Sequence, residues 1–546
     1  MNTNNRPPLQ FKIASEESEF EQIHQLNYKT FVEEIPQHQP STTPRLVDKF
    51  HAENTYLICL CGGQLVGMMA VRGNRPFSLD QKLAKLDEHL PQRQKPCEIR
   101  LLAVEKEFRS GQVFRGLLAL LWQHGLERGY DLAVISGTTR QAKLYRHLGF
   151  VPFGPLLGTG DAMFQPMYIT LETFENYAEE FFRAGLKQSG PANFLPGPVA
   201  IHKEVRKAFE QTPQSHRSDA FMTEVQGLKN RLCQLVKAKH VQLLLGSGTL
   251  GNDAVAAQLS LESKPGLVIS NGEFGDRLAD HATRMGLTFD TLKLQWGQPY
   301  DLAAIKLFLQ RAPTVGWIWC VHGETSVGIL NPLDALKQIC AKHKIKLAVD
   351  CISTVGLVPV NLDGVFLATC ASGKGLGSYP GLALVFYQHE IAPTPSLPRY
   401  LDIGLYAKCN GIAFTHSSNL LRALDAAVKR VNWPEKIKEV AEISAWLRSR
   451  LRESGFDLIA SEDVAAPGVV TIALPTEINS FEFGAQLQQA GYLISCGSDY
   501  LRARNWVQIC LMAEYSRQKI NELLYWMKRF AAKKEEPADK PIAQTA

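Results

Sequence analysis

The pattern of apolar and polar positions changes near the end of the first third of the chain. Before that point, short apolar runs predict β-strands, and the Gly62-Gly63 pair between the first two runs predicts a hairpin turn. A helix follows the third strand, because Leu118, Leu121 and Trp122 recur on one helical face. The strands predicted in this part are 56–60, 64–71, 98–104 and 131–136.

The C-terminal part, from about residue 190 to residue 532, alternates strand-like and helix-like patterns. Asn331 and Pro332 predict a helix start, with the asparagine as N-cap and the proline in the first turn. Such alternation predicts an α/β fold with a mostly parallel sheet, whose ligands bind at the carboxyl ends of the strands. The strands predicted in this part are 241–245, 267–270, 317–321 and 347–350.

Composition and charge narrow the possible functions. The chain has 546 residues, 45% apolar and 21% charged, which predicts a globular protein of about two to four domains. A net charge of +5 is too small over this length to predict binding to nucleic acid. No run approaches the ~18 apolar residues of a membrane span, and the first residues lack a signal peptide. The 11 cysteines contain no C-x-x-C pair, so we predict a cytoplasmic protein with no metal site.

Turn-forming and charged segments predict the domain boundaries. The segment QSGPAN (188–193) predicts a linker that follows a helix over 172–186. The tail 533–546 is charged and contains proline, and we expect it to be disordered. No internal repeat relates the two parts, so we predict two different folds, at 1–187 and 194–532.

A glycine-rich turn, GSGTLG (246–251), follows the first strand of the C-terminal part. Such a turn at the start of a helix offers free N–H groups and the positive end of the helix dipole to an anion. It also matches the dinucleotide pattern G-x-G-x-x-G, but the next strand ends at Asn271 without the acidic residue that binds a ribose. A monophosphate site, a dinucleotide site and a structural turn are the three interpretations.

Two further residues stand at the ends of predicted strands. Asp350 either holds a protonated ring nitrogen or caps a helix. Lys374 lies among small residues, where close approach and desolvation lower the pKa of an amine and make it a nucleophile; the alternative is a surface lysine. A phosphate site, a carboxylate and a lysine in this order are what pyridoxal phosphate requires from a protein.

These motifs resemble the class V branch of the fold-type I, pyridoxal phosphate-dependent aminotransferases, close to the alanine–glyoxylate and 2-aminoethylphosphonate–pyruvate group. The resemblance implies a mostly parallel sheet with large and small subdomains, pyridoxal phosphate as cofactor and a homodimer. It extends from residue 194 to about residue 530 and is carried by FLPGP (194–198), SHRSDAF (215–221), GSGT (246–249), NGEFG (271–275), HGETSVG (322–328), AVDCISTVG (348–356) and SGKGLGSYPG (372–381).

The same resemblance implies a role for individual residues. Lys374 would form the Schiff base with the cofactor, and Asp350 would pair with the ring nitrogen. Thr415 would reach the phosphate bound by the neighbouring subunit. Phe274, whose alternative is a core position, would stack on the cofactor. The other implied contacts are Ser247, Gly248 and Thr249 at the phosphate, Ile352 on the second ring face, and Thr325 or Ser326 at the ring oxygen.

One position departs from the family pattern. Gln508 stands where the family has an arginine that grips the substrate carboxylate, and a neutral amide does not supply that charge pairing. Either Arg502 or Arg504 replaces it, or the substrate is not a simple α-amino acid, or the reaction differs. Arg504 and Gln508 are the two residues that we predict to bind the substrate. Gly373 stands where a histidine would indicate a cysteine desulfurase. Transamination is the predicted reaction, with decarboxylation and β-elimination as alternatives.

The N-terminal part resembles a second family. The element xLYxxLGF at 143–150, with NYKTFVEEIPQH (27–38) and RPFSLD (75–80), is similar to GNAT acyltransferases, nearest the N-acyl amino acid and acyl-homoserine lactone synthases. The resemblance implies a GNAT-like mixed sheet. Gln112 and Phe114 stand where the coenzyme A loop has glycines, so the implied acyl donor is either acyl-CoA or an acyl carrier protein.

Four side chains of the N-terminal part are candidates for acyl transfer. Tyr145 would protonate the leaving thiolate; the alternative is a core tyrosine. Glu98 would orient or deprotonate the amine; the alternative is a surface acid. Arg109 and Arg115 would bind phosphates or an acidic carrier protein, unless they are simply solvated.

Together, these features predict a bifunctional enzyme: an aminotransferase fused to an N-acyltransferase, acting on small amines, amino acids or keto acids. The alternative is a pyridoxal phosphate-dependent lyase or decarboxylase whose GNAT-like domain only binds acyl groups or a carrier protein. A NAD-dependent dehydrogenase, based on GSGTLG alone, is disfavoured.

Overall fold

The chain divides into two compact units, Met1–Ser189 and Gly190–Ala546. The predicted tail, most of the predicted helix 172–186 and residues 188–190 of the predicted linker lie outside the described residues. Within the described part, no helix has the length and apolar character needed to cross a membrane. The structure, a computed structural model, describes residues 7, 9–35, 38–92, 95–109, 111–158, 163–171, 173–174, 191–512 and 514–532.

The N-terminal unit is built on a seven-stranded mixed sheet. Its strands are β1 (Leu9–Ile13), β2 (Thr55–Cys61), β3 (Gln64–Arg72), β4 (Pro96–Val104), β5 (Leu132–Thr138), β6 (Val151–Pro152) and β7 (Phe164–Thr170). They stand in the order β1-β2-β3-β4-β5-β7-β6. The predicted hairpin is confirmed, because β2 pairs antiparallel with β3 and the turn residues Gly62 and Gly63 have φ of 60° and 85°.

A cleft opens in this sheet between β4 and β5. These two strands run parallel, but their pairing covers Pro96 to Glu98 against Leu132 to Val134 and then ends. A bulge in β4 accompanies the opening, since the β3–β4 register shifts opposite Leu101, which has φ of 54°. The helices of the unit are α1 (Glu17–Tyr28), α2 (Gln112–Arg128) and α3 (Ala142–His147).

The C-terminal unit contains a second seven-stranded sheet, in which the prediction of a mostly parallel arrangement is confirmed. Its strands are β9 (His240–Leu245), β10 (Gly266–Ser270), β11 (Phe289–Lys293), β12 (Trp317–Val321), β15 (Lys346–Asp350), β16 (Leu367–Ala371) and β17 (Leu382–Tyr387). The order is β11-β10-β12-β15-β16-β17-β9. Strand β17 runs against its two neighbours, β16 and β9, whereas the other pairs are parallel.

Buried side chains cover both faces of this sheet. Along β10, Leu267 and Ile269 belong to one apolar cluster and Val268 to another, because successive strand residues point to opposite faces. Helices pack on these faces. They are α5 (Asp219–Val236), α6 (Gly248–Leu259), α7 (Glu273–Arg284), α8 (Leu302–Arg311), α9 (Leu333–His343), α10 (Ile403–Lys408) and α11 (Ser418–Lys429). Helix α4 (Lys203–Phe209) packs on α11 instead.

The remainder of the unit forms a smaller subdomain around its own apolar core, which includes Phe194, Leu447 and Ile509. Two-stranded pairs join β8 to β20 and β13 to β14, and a three-stranded sheet has the order β18-β19-β21. These strands are β8 (Ala192–Phe194), β13 (Gly323–Glu324), β14 (Ile329–Leu330), β18 (Asp457–Leu458), β19 (Val469–Ala473), β20 (Tyr492–Ile494) and β21 (Trp506–Cys510). The helices are α12 (Trp433–Glu453), α13 (Ser480–Gln489), α14 (Asp499–Arg504) and α15 (Arg517–Ala532).

One predicted helix start is wrong in detail. Helix α9 follows Pro332, which is itself the N-cap. The side chain of Asn331 is buried and donates to Val321 O at 3.0 Å and to Asn271 Oδ1 at 3.3 Å. The asparagine therefore ties two strand ends together instead of capping the helix.

Candidate active sites

A cavity of about 400 Å³ lies at the carboxyl ends of the main sheet of the C-terminal unit. Strands β9, β12, β15 and β16 lead into it, because residues at or just after their ends line it. We call this the C-terminal cavity. Its lining includes Gly197, Ser247, Gly248, Thr249, Asn252, Phe274, Arg277, His281, Thr325, Asp350, Ile352, Ser353, Lys374 and Tyr500. The structure thus brings most of the predicted cofactor contacts together.

Lys374 reaches this cavity from the loop that follows β16. Its Nζ donates to Ser353 Oγ at 3.0 Å, and Thr325 Oγ1 donates to the same oxygen at 2.6 Å. Small residues surround the lysine: a Cβ added to Gly197, which has φ of +152°, would lie 3.2 Å from Gly373 O. Desolvation lowers the pKa of the Lys374 amine below its ordinary value, which favours the neutral, nucleophilic form.

Asp350 ends β15 on the floor of the cavity and is 5% exposed. Its Oδ2 accepts from Asn252 Nδ2 at 2.9 Å, and its Oδ1 accepts from the Ile352 N–H at 2.8 Å. Thr369 Oγ1 in turn donates to Asn252 Oδ1 at 2.8 Å. Burial raises the pKa of the Asp350 carboxyl, and no lysine or arginine within the described residues forms an ion pair with it. The site therefore offers a buried carboxylate to an incoming cation.

The glycine-rich turn opens α6 at the opposite wall. Ser247 is the N-cap, but its side chain makes no capping bond. Among the described residues, no acceptor is bonded to the N–H groups of Gly248 or Thr249. Because these N–H groups lie at a helix N-terminus that faces the cavity, the turn can bind an anion such as a phosphate.

Glu324 fixes the start of α7, which carries Phe274 into the cavity. This carboxylate is fully buried and accepts from the N–H groups of Phe274 at 3.3 Å and Gly275 at 3.0 Å. Ser326 Oγ also donates to it, at 2.6 Å. The Ser326 hydroxyl is therefore already hydrogen-bonded to Glu324. Ser326 does not line the cavity, whereas Thr325 does. Of the two alternatives for the ring oxygen, the geometry favours Thr325.

The predicted substrate residues Gln508 and Arg504 lie away from the cavity lining. Gln508 is completely buried, and its Nε2 donates to Thr325 O at 2.6 Å, Ser326 O at 3.2 Å and Thr471 Oγ1 at 2.9 Å. The Arg504 guanidinium lies 3.6 Å from the centre of the Trp296 ring. The amide of Gln508 is thus used by the protein itself, which corrects its assignment as a substrate contact.

Of two further predicted cofactor contacts, Ile352 lies in the cavity lining and Thr415 lies outside it. Ile352 lines the cavity, and its Cδ1 would lie 2.6 Å from a Cβ added to Gly248, so the turn and this side chain approach closely. Thr415 is exposed and does not line the cavity of its own chain.

Four residues in or next to the C-terminal cavity have no role predicted from the sequence: Asn252, Ser353, Glu324 and Arg277. Glu324 and Ser353 lie inside motifs that were singled out, so their presence there was a usable signal. Asn252 gave none, because its partner Asp350 is 98 positions away in the chain.

A second cavity, of about 570 Å³, occupies the cleft between β4 and β5 in the N-terminal unit. We call it the N-terminal cavity. Most of its lining is apolar and includes Phe31, Met69, Ile99, Leu102, Phe114, Leu118, Ile135 and Phe150. Tyr145 also lines it, and burial raises the pKa of the Tyr145 phenol above 10.0. The wall of this mostly apolar cavity therefore includes a phenol, whose hydrogen-bond partner is Thr138.

Two of the charged candidate residues of this unit, Glu98 and Arg109, are bonded to protein groups. Glu98 is fully buried and does not line the cavity; its carboxylate accepts from the N–H and Oγ of Ser78 and from the Leu79 N–H. The alternative of a surface acid is therefore wrong, and the predicted catalytic carboxylate contacts Ser78 and Leu79 instead of the cavity. Arg109 lines the cavity and makes a bidentate pair with Glu34 at 2.6 and 2.7 Å, whereas Arg115 is exposed.

All eleven cysteines are free. Within the part of the chain that is described, no group of three or more His, Cys, Asp or Glu is arranged to hold a metal ion.

Two family models match separate parts of the chain. Residues 22–159 match the N-acyl amino acid synthase FeeM model, and residues 200–394 match the class-V aminotransferase model. Both resemblances drawn from the motifs are thereby confirmed.

Curated relatives match the C-terminal unit. The chain is 28% identical over 325 residues to the 2-aminoethylphosphonate–pyruvate transaminase of Paraburkholderia phymatum, covering 56% of this chain and 88% of that protein. It is also 28% identical over 299 residues to the soluble hydrogenase 42 kDa subunit of Anabaena cylindrica, covering 52% of this chain and 78% of that one.

Solved structures agree on the fold. An alanine–glyoxylate aminotransferase from Nostoc sp. has a TM-score of 0.57 at 24% identity and covers 62% of this chain and 95% of that chain. Pyridoxamine–pyruvate aminotransferase from Mesorhizobium loti has a TM-score of 0.59 at 19% identity and covers 64% and 93%. The C-terminal unit therefore has the fold-type I architecture, which implies pyridoxal phosphate as cofactor.

Proposed function

We propose that the C-terminal unit is a pyridoxal phosphate-dependent aminotransferase that moves an amino group between small amines or amino acids and keto acids. The observation that carries this proposal is the meeting of Lys374 and Asp350 in one cavity, opposite a helix N-terminus with free N–H groups. Its resemblance to transaminases, at 28% identity, supports the same reaction type.

The residues fit the cofactor by charge. Asp350 is a buried carboxylate without a cationic partner among the described residues, and the cofactor's protonated ring nitrogen has the complementary charge. The N–H groups of Gly248 and Thr249 suit the phosphate. Phe274 and Ile352, which line the same cavity, offer apolar surfaces to a flat ring. When bound, pyridoxal phosphate supplies a carbonyl that exchanges amines and a ring that withdraws electrons from the substrate.

The side chains then have separate tasks. Lys374 would hold the cofactor through its neutral amine, and the same amine would move a proton at the α-carbon of the substrate. Asp350 keeps the proton on the ring nitrogen. Ser353 accepts from the Lys374 amine at 3.0 Å and so orients it toward the cavity.

The absorption spectrum of the purified protein tests this proposal. We expect the visible band of a lysine Schiff base, and its loss when one donor of a panel of amines, amino acids and aminophosphonates is added. Regeneration of the band by a keto acid supports transamination. Release of carbon dioxide or of an unsaturated product without that regeneration would instead favour a decarboxylase or a lyase.

We further propose that the enzyme is a cytoplasmic homodimer in which Thr415 completes the partner's phosphate site. Its exposure, away from the cavity of its own chain, supports this arrangement. A mixed dimer of Thr415→Ala and Lys374→Ala subunits tests it. If Thr415 serves the partner's site, both lesions fall in one site and the other site stays intact; if it does not, each site carries one lesion. Sedimentation as a monomer would contradict the proposal.

For the N-terminal unit, we propose N-acyl transfer from an acyl thioester to a small amine. The observation that favours it is Tyr145 on the wall of an apolar cavity of about 570 Å³. In this step the amine nitrogen bonds to the acyl carbon, the carbon–sulfur bond breaks, the Tyr145 hydroxyl gives its proton to the departing thiolate, and the proton that the nitrogen loses restores the hydroxyl. Glu98 acts as a positioning residue, because it holds Ser78 and Leu79.

Release of free thiol from acyl-CoA or from acyl carrier protein, in the presence of candidate amines, tests the second activity. Turnover with one of these two thioesters identifies that thioester as the acyl donor. Saturable binding of an acyl thioester without thiol release would favour a binding module.

A further inference from the structure

The acidic group of a substrate needs a cationic partner, and the position expected to supply it does not. Gln508 is buried, and its amide is spent on two backbone carbonyls and the Thr471 hydroxyl. Its Oε1 accepts from the Tyr500 hydroxyl at 3.2 Å. The amide therefore has neither the charge nor the free hydrogen-bonding capacity to bind a substrate anion.

The two arginines near Gln508 also face elsewhere. The Arg504 guanidinium stacks on Trp296, and its Nη1 donates to Tyr500 O at 3.4 Å. The Arg502 guanidinium lies 4.9 Å from the centre of the Phe481 ring. Neither arginine lines the C-terminal cavity.

Arg277 is the one arginine among the described residues that line this cavity. It lies in the first turns of α7, and its Nε donates to Glu273 Oε1 at 3.1 Å, one helical turn away. Within the described part of the chain, no acceptor is bonded to its two Nη groups. The pair with Glu273 thus holds the side chain and leaves its forked end available.

Arg277 and the reactive amine of Lys374 lie near the same aromatic ring. Its guanidinium is 5.0 Å from the centre of the Phe274 ring, and Lys374 Nζ is 5.4 Å from the same centre. His281, the other basic residue of the lining, is occupied, because its Nδ1 lies 2.6 Å from Asp253 Oδ1. Arg277 is therefore the cationic group of the lining that is left for the anion of a substrate.

We propose that Arg277 is the specificity-determining residue of the C-terminal cavity and binds the anionic group of an acidic amine donor through its two Nη groups. A carboxylate or a phosphonate fits equally, since both accept two parallel hydrogen bonds from a guanidinium. The inference rests on the proposed aminotransferase function and adds the substrate class.

Binding of unreactive anions tests the proposal without relying on turnover. Propionate and ethylphosphonate lack an amine, so calorimetry on the cofactor-loaded protein measures recognition of the anion alone. We expect Arg277→Gln to weaken the binding of at least one of the two by tenfold or more. Arg277→Lys keeps the positive charge but loses the forked guanidinium, so its affinity for the anions should lie between those of Arg277→Gln and the unchanged protein. The anion that binds more tightly to the unchanged protein distinguishes carboxylate from phosphonate.

Arg284→Gln is the matched control. Arg284 lies on the same helix, pairs with Asp280 in the same i,i+4 geometry at 2.7 Å, and is absent from the cavity lining. We expect unchanged anion binding in that variant. The rate at which each amine removes the visible band should show the same difference. In Arg277→Gln this rate should fall tenfold or more with β-alanine and with 2-aminoethylphosphonate, and should stay the same with n-propylamine.

Three outcomes would overturn the inference: anion binding that survives Arg277→Gln, anion binding lost instead in Arg504→Gln, or no binding of either anion to the loaded protein. Retention of the visible band in Arg277→Gln shows that the cavity is intact. Absence of that band in the unchanged protein is a different result, because it contradicts the aminotransferase function itself.

Discussion

The two cavities of the molecule differ in what they do with charge. In the C-terminal cavity, Asp350 and Lys374 face the space without forming an ion pair among the described residues. In the N-terminal unit, two arginines that line the cleft are neutralised by protein partners, Arg109 by Glu34 and Arg100 by Asp48, whereas Lys82 lies over the Phe164 ring. Unpaired buried charge is costly unless a ligand supplies the opposite sign. The first cavity therefore suits a charged cofactor and the second an apolar acyl chain.

The largest expected difference between the two cavities is in their response to a substitution of Lys374. We expect Lys374→Ala to remove the visible band and to lower amine transfer by at least about 10⁴-fold, the upper range for loss of a general acid–base group. Thiol release by the N-terminal unit should be unchanged, because Lys374 lines only the C-terminal cavity. Lys429→Ala, at an exposed lysine paired with Asp425, is the control. Amine transfer that survives Lys374→Ala would refute the Schiff-base assignment.

The second test concerns Tyr145. Tyr145→Phe removes the proposed proton donor and keeps the ring in place, so thiol release should fall about 10²–10⁴-fold. Because burial raises the pKa of this phenol above 10.0, the acid form persists at neutral pH, and the alkaline limb of the rate profile should lie above pH 10. Equal rates of thiol release in both proteins would refute the role of Tyr145 as the proton donor.

The third test concerns the hydrogen-bonded chain Thr369–Asn252–Asp350, which we call the polar relay. Asn252→Leu removes a hydrogen bond to the Asp350 carboxylate and should raise the pKa of Asp350 further, since that bond favours the ionised form. A higher pKa means that the carboxylate is protonated at a higher pH. The acid limb of kcat/KM should therefore move upward, and the cofactor should bind about tenfold more weakly, as expected for a hydrogen bond to a charged group.

Thr369→Val is the matched control for this relay. It removes the outer bond to Asn252 and leaves the bond from Asn252 to Asp350 intact. Its effect on the acid limb should be the smaller of the two. If both variants have the cofactor affinity of the unchanged protein, the relay does not position Asp350.

The distance between partners along the chain explains which features the sequence predicted. The hairpin at Gly62-Gly63 is a local signal, and Asp350 and Lys374 each follow a buried strand, whose end is visible in the sequence. The use of Gln508 is not local, because its acceptor Thr325 lies 183 positions earlier in the chain. An amide that substitutes for an arginine gives no sign of which carbonyls it will meet.

The smallest effect on activity is expected at Gln508, and it separates a structural role from a substrate role. Gln508→Met keeps the length of the side chain but leaves the carbonyls of Thr325 and Ser326 without its donor. Leaving buried acceptors unsatisfied costs about 1–3 kcal/mol of the free energy of unfolding, which thermal denaturation can measure. The affinity for propionate and ethylphosphonate should stay the same, because Gln508 does not line the cavity. Unchanged stability together with weaker anion binding would return Gln508 to the substrate site and remove the need for Arg277.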